Sequence, residues 1–259
     1  MAKRTLVTLA ALAVMPAAAM AQWSDNFDSY PSNTNINGQG GWQGWGAVAA
    51  QAPNTSTAHA LSGPNSVLVA GQGDTGGAGY SDNVHKYTGY TSGWWEYTAN
   101  IYVPGNATGQ AYFILLNQYA DPSGPFNWSI EYKIDAGPSG ATANTFSDDY
   151  TNGTSAVSGT GNARFGTNKT LIRDAWVQIR VDFDLTSNVM QAWYNGVPVS
   201  GGSWKTNATS TLALAATDLY SGTSSGVYFD SLSLAQIPAP SNVALLGLGG
   251  LVAARRRRA

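Results

Sequence analysis

The chain of 259 residues has no cysteine, two histidines (His59 and His85) and two glutamates (Glu96 and Glu131). Without cysteine there are no disulfides, no thiol catalysis and no thiolate metal sites, so an exported domain of this sequence must rely on its core. Only the two histidines could serve as imidazole ligands or bases. Convincing amphipathic helices are also missing between the chain ends, which points away from a helical domain.

Basic residues are scarce away from the chain ends. Between residues 22 and 236 there are 7 basic and 15 acidic residues, a net charge near −8, whereas the whole chain carries −2. A segment of this charge has no basic stripe for nucleic acid and is repelled by anionic lipid. Nucleic-acid binding is therefore excluded.

The N-terminus has the layout of a secretory signal peptide. Lys3 and Arg4 precede an apolar run over residues 6–14, and the small-residue sequence Ala19-Met-Ala21 follows. A cationic start, a short apolar helix and an A-x-A cleavage sequence are typical of such peptides. We therefore predict a signal helix over residues 1–21 that is removed before Gln22, and an exported protein.

The C-terminus combines three features in a fixed order. Pro238 and Pro240 flank Ala239, residues 243–254 carry no charge, and the arginines Arg255, Arg256, Arg257 and Arg258 precede the last residue. An apolar helix of twelve residues rises about 18 Å, less than the ~30 Å hydrocarbon core, so it is a marginal anchor. The arginines should stay cytoplasmic and leave the preceding domain outside the membrane.

This tail resembles the PEP-CTERM family of sorting signals, which consist of Pro-Glu-Pro, a short apolar segment and an arginine cluster. The resemblance covers residues 237–259, and Ala239 stands where the family has glutamate. It implies an exosortase-type processing enzyme as a partner, a transient inner-membrane anchor, and a final location at the cell surface or in an exopolysaccharide matrix.

The segment over residues 22–236 has the pattern of many short strands. Residues 176–185 place Val177, Ile179, Val181, Phe183 and Leu185 on one face and polar residues on the other, which predicts a half-buried strand. Residues 110–118 are apolar on both faces and predict a central strand. Asn195-Gly196 between two strand-like runs predicts a hairpin. An all-β, two-sheet antiparallel sandwich of the jelly-roll type is the fold that these patterns favour.

The order of these features is similar to the concanavalin A-like lectin/glucanase superfamily, and to laminin-G-like domains in particular. That resemblance implies the fold more than the function. The matching stretches are residues 25–30, 40–45, 60–66, 176–185, 193–196 and 227–234.

Exposed aromatic rings beside polar side chains suit carbohydrate binding, because the rings cover the apolar faces of sugars while polar groups bond the hydroxyls. The sequence therefore predicts a non-catalytic domain that binds extracellular polysaccharide. Trp128 shares a face with Ile130 by period two, so we expect it in the core. The candidate ligand-binding residues are Trp42, Trp45, Trp94, Trp95, Trp204, Gln178 and Arg180.

Calcium is the metal that the sequence could accommodate. Asp25, Asp28 and Asp230 lie near the predicted first and last strands, and carboxylate oxygens suit this ion in an extracellular protein. The alternative is that these carboxylates bond nearby backbone amides. No other cofactor is indicated.

A glycoside hydrolase or polysaccharide lyase of the same superfamily is the alternative function. Glucanases of this superfamily carry Glu-x-Asp-x-x-Glu on one strand, and no such motif is present. Glu96 and Glu131 could act as an acid/base pair only if their strands were neighbours in one sheet.

Overall fold

The computed structural model describes residues 21–71, 80–137, 144–150, 164–207 and 209–238. The predicted signal peptide and sorting tail fall on residues outside these ranges, apart from Ala21, Ile237 and Pro238. Ala21 pairs with Ala235 as the first residue of a strand. Export, the signal helix and the sorting tail therefore stay predictions.

Within the described ranges the chain forms sixteen β-strands and two 3₁₀ turns, at Trp45–Ala47 and Ala49–Gln51. The strands are β1 (Ala21–Asp25), β2 (Trp42–Gly44), β3 (Asn54–Ser56), β4 (Ser66–Val69), β5 (Asp82–Lys86), β6 (Trp94–Tyr102), β7 (Gln110–Tyr119), β8 (Phe126–Asp135), β9 (Thr145–Asp148), β10 (Arg164–Gly166), β11 (Lys169–Thr170), β12 (Trp176–Asp184), β13 (Val189–Tyr194), β14 (Val197–Ser203), β15 (Ala216–Ser221) and β16 (Val227–Gln236).

Two antiparallel sheets are packed face to face, which confirms the predicted all-β sandwich. The larger sheet has nine described strands in the order β10-β14-β13-β12-β6-β16-β4-β3, with β1 also paired to β16. The smaller sheet has seven described strands in the order β11-β9-β8-β7-β15-β5-β2. Strand β7 lies between β8 and β15, as its apolar sequence on both faces predicts.

The core between the sheets follows from period-two alternation. In β12 and the residue after it, Val177, Ile179, Val181, Phe183 and Leu185 are all buried, as predicted. The same alternation in β6 and β16 provides further side chains of the larger sheet that point towards the smaller sheet. A continuous cluster of these residues and their counterparts from the smaller sheet fills the interior.

Hydroxyl groups link the two sheets through this core. The Thr217 hydroxyl on β15 donates to the Tyr97 oxygen on β6 at 2.8 Å, and the Tyr132 hydroxyl on β8 lies 2.7 Å from Ser200 Oγ on β14. A buried ion pair adds a third link, because Arg164 Nε on β10 lies 3.1 Å from an Asp148 carboxylate oxygen on β9. These three contacts thus join polar groups of opposite sheets inside the core.

The predicted hairpin is present between β13 and β14. Asn195 and Gly196 have φ values of 50° and 73°, the two positive angles of a type I′ turn. The flanking strands pair from Tyr194 with Val197. The turn chemistry of the sequence was sufficient to place this connection.

Candidate functional site

Three of the seven candidate ligand-binding residues belong to the core, so their prediction was wrong. Trp42, Trp95 and Trp204 are 1%, 8% and 0% exposed. Each indole N–H has an internal acceptor, for example Ala213 O at 2.9 Å from Trp204 Nε1. Sandwich cores bury large aromatic side chains because these remove the most apolar area from water, and such rings cannot reach a sugar.

The three candidate calcium ligands do not form one ligand group. Asp25 accepts hydrogen bonds from the Trp42 indole and the Phe27 amide, each at 2.8 Å. Asp230 accepts the Leu61 amide at 2.7 Å, and Asp28 accepts the Asn65 amide at 3.2 Å. Among the described residues, no group of three or more His, Asp or Glu side chains is placed to hold a metal ion.

Asp25 also lines a cleft of about 600 Å³ beside the β1–β16 pair. Its other walls include Trp23, Asn26, Tyr30 and Ser231. The Tyr30 hydroxyl donates a hydrogen bond to Asp25, so this carboxylate is already occupied by protein donors. The cleft therefore offers mainly serine and asparagine side chains to a ligand.

Trp94, Gln178 and Arg180 lie on the outer face of the larger sheet, the face turned away from the smaller sheet. Arg180 Nε is 2.8 Å from a Glu96 carboxylate oxygen, and the guanidinium lies 4.6 Å from the centre of the Trp193 ring.

Glu96 on β6 belongs to the larger sheet, and Glu131 on β8 belongs to the smaller one. The two glutamates are not neighbours in one sheet, which overturns the suggested Glu96–Glu131 acid/base pair.

Trp45 is the one candidate that belongs to a compact group of half-buried aromatic side chains. We call Trp45, Tyr119, Phe126 and Trp128 the aromatic cluster. The Trp45 ring centre lies 4.9 Å from that of Tyr119, 4.8 Å from that of Phe126 and 6.2 Å from that of Trp128, to which it is nearly parallel. The cluster lies on the outer face of the smaller sheet.

Trp128 reaches this face because of a β-bulge, so its expected core position was wrong. Leu115 pairs with Ile130, and the next pair is Leu116 with Trp128, which leaves Ser129 as an extra residue. One extra residue moves the following side chain to the opposite side of the sheet. Ile130 therefore points into the core while Trp128 packs outside it.

A second set of buried apolar residues supports the aromatic cluster. Val84, Ile114, Leu116 and Ala216 are at most 3% exposed, and they pack against Trp45 and Trp128 on the outer side of the smaller sheet. Burial of this kind fixes ring orientation, as a preorganised site requires. The smaller sheet thus carries buried apolar residues on both of its faces.

The segment that carries Trp45 folds back tightly over the sheet. A Cβ on Gly44 would lie 1.8 Å from Val48 O, so only glycine fits there. The Gly46 amide donates a hydrogen bond of 3.2 Å to the Tyr119 hydroxyl. These contacts hold the Trp45 ring against Tyr119.

Polar groups border the aromatic cluster at Asp121. Lys86 Nζ lies 3.2 Å from Asp121 Oδ2, and the Gln43 amide donates a hydrogen bond to the same oxygen. Although burial acts to raise the pKa of Asp121, the hydrogen bonds from Tyr119, Gln43 and Lys86 outweigh it and lower that pKa. An ionised carboxylate, an amide and an ammonium group therefore lie beside the aromatic rings.

A group of carboxyl residues occupies the centre of the same outer face. Asp218 pairs with Ile114 on β7, and Ile114 pairs with Glu131 on β8. Two strand spacings separate Asp218 from Glu131, or about 10 Å between their backbones. Asp82 approaches from β5, and its charge and its hydrogen bond act to raise the pKa of Asp218.

Burial changes the protonation of these carboxyl groups. Asp218 is 3% exposed, and burial followed by the Asp82 charge raises its pKa well above the usual range. Burial and the neighbouring Asp149 carboxylate raise the pKa of Glu131, while a hydrogen bond from Tyr150 opposes this shift. Burial therefore favours the protonated form of both carboxyl groups on this face.

The sequence analysis missed most of this face. Tyr119, Phe126, Trp128, Asp82 and Asp218 were not among the candidates, and only the twofold apolar pattern of residues 110–118 hinted at a covered outer face. A strand with two apolar faces must be buried on both sides. The aromatic residues near residues 110–118 in the sequence could therefore have been predicted to cover the outer face.

No protein-family model matches the chain, and no curated protein matches it. Among solved structures, the globular domain of T. cruzi calreticulin is 9% identical, with 91% of this chain and 95% of that chain covered and a TM-score of 0.53. A sialidase is 8% identical, with 85% of this chain and 19% of that chain covered and a TM-score of 0.51. The chain therefore spans about a fifth of that sialidase.

A further solved neighbour is the carbohydrate recognition domain of Emp47p, which is 11% identical, with 85% of this chain and 97% of that chain covered and a TM-score of 0.49. Similarity at these identities establishes the fold alone. The chain thus has a two-sheet antiparallel β-sandwich fold. Among the described residues, no helix combines the length and apolar character needed to span a membrane.

Proposed function

We propose that this chain is an exported, non-catalytic protein that binds polysaccharide through the aromatic cluster on the outer face of the smaller sheet. The observation that carries the proposal is the group of half-buried rings at Trp45, Tyr119, Phe126 and Trp128, where the two indoles are nearly parallel. Rings of this kind can cover the apolar faces of sugar residues.

The groups around the cluster suit the remaining chemistry of a sugar. Gln43, Lys86 and Asp121 provide donors and acceptors for hydroxyl groups next to the rings. The buried residues beneath the rings, including Leu116, favour a surface that is formed before the ligand arrives. The net charge near −8 of residues 22–236 favours a neutral polysaccharide over an anionic one.

Binding can be tested by retention of the full-length chain in gels that contain a neutral β-glucan or xylan, with alginate as the anionic comparison. We expect Trp128→Ala to weaken retention at least tenfold, a loss of ~1.4 kcal/mol. Phe165→Ala is the matched control, because this ring is 62% exposed and lies on β10 of the other sheet. Equal retention of both variants and the wild type would contradict the proposal.

The location of the protein forms a separate part of the proposal. We infer that residues 1–21 direct export, and that the tail over residues 237–259 anchors the chain until an exosortase-type enzyme processes it. Replacing Arg255 to Arg258 with serine should release the chain from the membrane, because a twelve-residue apolar segment retains it poorly. Cell fractionation measures this, and unchanged membrane retention and processing would contradict it.

A second candidate function is a glycoside hydrolase that uses the carboxyl residues of the same face. The observation that favours it is the placement of Asp218 and Glu131 two strands apart, both with raised pKa. Carboxyl groups about 6.5 to 9.5 Å apart suit an inverting mechanism, in which one protonates the leaving oxygen and the other activates water.

The two candidate functions are separated by a reducing-end assay on the same polysaccharides. A hydrolase would generate new reducing ends in the wild type, and Glu131→Gln and Asp218→Asn would each abolish them while gel retention persists. A non-catalytic binder generates none in any variant.

A further inference from the structure

The outer face of the larger sheet carries a second group of half-buried aromatic rings. Trp176 on β12 pairs with Tyr102 on β6, and Tyr102 pairs with Tyr228 on β16. Directly paired residues project to the same side of a sheet, so the three rings form one row across three strands. The ring centres of Tyr102 lie 5.6 Å from Trp176 and 6.3 Å from Tyr228.

His59 completes this row from the loop that follows β3. Its ring lies nearly parallel to Tyr102 at 4.1 Å between centres, and edge to face with Tyr228 at 4.8 Å. We call Trp176, Tyr102, Tyr228 and His59 the aromatic row. All four side chains are half-buried, so part of each ring is open to solvent while its neighbours fix its orientation.

Neutral amide side chains adjoin the aromatic row. Gln178 pairs with Asn100 one step further along the same face, and Gln178 is exposed. The Asn100 amide donates to Ser231 O at 3.3 Å, which leaves its carbonyl oxygen as an acceptor. The amides can bond the hydroxyl groups at the edge of a sugar ring, and the adjacent aromatic rings can cover its apolar face.

Carboxyl groups outnumber cations on this face, because Glu96 and Asp182 both contact Arg180 and Asp230 pairs with Asn100. Arg180 bonds both Glu96 and Asp182, so the nearest cation does not form an isolated positive site. The aromatic row itself contains no carboxylate or ammonium group. This charge pattern favours a neutral polysaccharide over an anionic glycan or a phosphorylated partner.

We propose that the aromatic row is a second polysaccharide-binding site, separate from the aromatic cluster. In a sandwich the outer faces of the two sheets point in opposite directions, so the two sites cannot contact the same stretch of one glycan. The chain would therefore bridge two polysaccharide strands. The bridging part of this inference rests on the proposed function of the aromatic cluster, whereas binding at the aromatic row does not.

The test compares the full-length wild type with Trp176→Ala, Trp128→Ala and the double variant. Calorimetry with a short neutral β-glucan oligomer measures stoichiometry, and clumping of beads coated with the parent β-glucan measures bridging. We expect two oligomers per wild-type chain, one per single variant and none for the double variant. Bridging should fall at least tenfold in either single variant.

Gln178→Ala is the second variant, because an exposed amide can be removed without disturbing the core. It should weaken binding of the second oligomer at least threefold while the first is unchanged. A stoichiometry of one in the wild type, or two in Trp176→Ala, would overturn the second site. Loss of binding in Trp176→Ala alone would instead contradict the proposed role of the aromatic cluster. Light scattering measures self-association of the chain. If bead clumping occurs only in variants that self-associate, the aromatic row binds a second copy of the chain, and the inference is overturned.

Discussion

Ionisable side chains on the outer faces of the two sheets differ in their exposure to solvent. On the larger sheet, Arg180 and Glu96 keep 41% and 30% of their side chains exposed and form an ion pair at the surface. On the smaller sheet, Asp218 is 3% exposed, and burial raises the pKa values of Asp218 and Glu131. The first face holds charge in water, and the second favours neutral carboxyl groups.

The difference follows from what lies above each face. Polar residues alternate along β12, so its outer side needs no cover, whereas β7 places Ile114 and Leu116 outward and requires a layer of aromatic rings above them. Once that layer is present, a carboxyl group in the same row loses hydration, and its charged form becomes costly. The outer side of a sandwich is therefore not a solvent face by default.

The largest effect is expected in the core that both sheets share. Phe183 is fully buried and lies 4.3 Å from the Trp204 ring centre. Phe183→Ala should lower the free energy of unfolding by about 3 to 5 kcal/mol, because it opens a cavity that its neighbours fill only in part. Urea denaturation measures this, and a loss below about 1 kcal/mol, typical of surface substitutions, would contradict the strand assignment.

The outer layer of the smaller sheet should respond almost as strongly. Leu116 is 0% exposed although it points away from the main core. Leu116→Ala should cost about 2 to 5 kcal/mol in unfolding free energy, as for any buried leucine. Val197→Ala, at a side chain that is 50% exposed, is the control. If the two substitutions cost the same in urea denaturation, the smaller sheet has an ordinary solvent-facing side.

Acid should destabilise the protein through His85. Burial lowers the pKa of His85 from 6.5 to about 4, and Nδ1 is buried without a hydrogen-bond partner. The unfolded chain therefore binds a proton between pH 6.5 and 4 that the folded chain does not. This contribution to stability is complete above pH 6.5 and is lost as pH falls towards 4, by about 3 kcal/mol.

His85→Gln is the comparison for this prediction, since the amide does not titrate in this range. Urea denaturation at pH 7 and pH 4.5 should give a smaller difference between the two pH values in the variant than in the wild type. An equal pH dependence in both proteins would show that His85 is not kept neutral by burial.

The smallest effect is expected at Arg180. The Arg180 side chain is solvent-exposed, and exposed ion pairs contribute little to stability because water screens them. Arg180→Ala should therefore cost less than about 1 kcal/mol in unfolding free energy. The same urea denaturation tests it beside Phe183→Ala. A larger loss for Arg180→Ala than for Phe183→Ala would mean that the polar face of β12 is enclosed.

Local patterns in the sequence were enough for the architecture. The alternation of residues 176–185 placed five side chains in the core correctly, and the Asn195-Gly196 turn set one hairpin, because both depend on neighbours in sequence. The site was less accessible. Trp128 changes faces through the bulge at Ser129, which period-two counting does not detect.

The remaining residues of the candidate site could not be predicted because they are brought together by pairing between strands that are distant in sequence. Asp82 and Asp218 meet only because β5 and β15 are neighbours in the smaller sheet, and 136 positions separate them in the chain. Composition correctly indicated abundant aromatic residues, yet it could not distinguish the buried Trp204 from the half-buried Trp45. That distinction requires the sheet topology.

The hydroxyl contacts across the core determine how the sheets can move. Apolar side chains alone would permit small sliding of one sheet over the other, since hydrophobic attraction has no preferred direction. The Tyr97–Thr217 and Tyr132–Ser200 contacts are directional and join different pairs of strands. Sliding of one sheet over the other would therefore have to break these directional contacts as well as disturb the packed core.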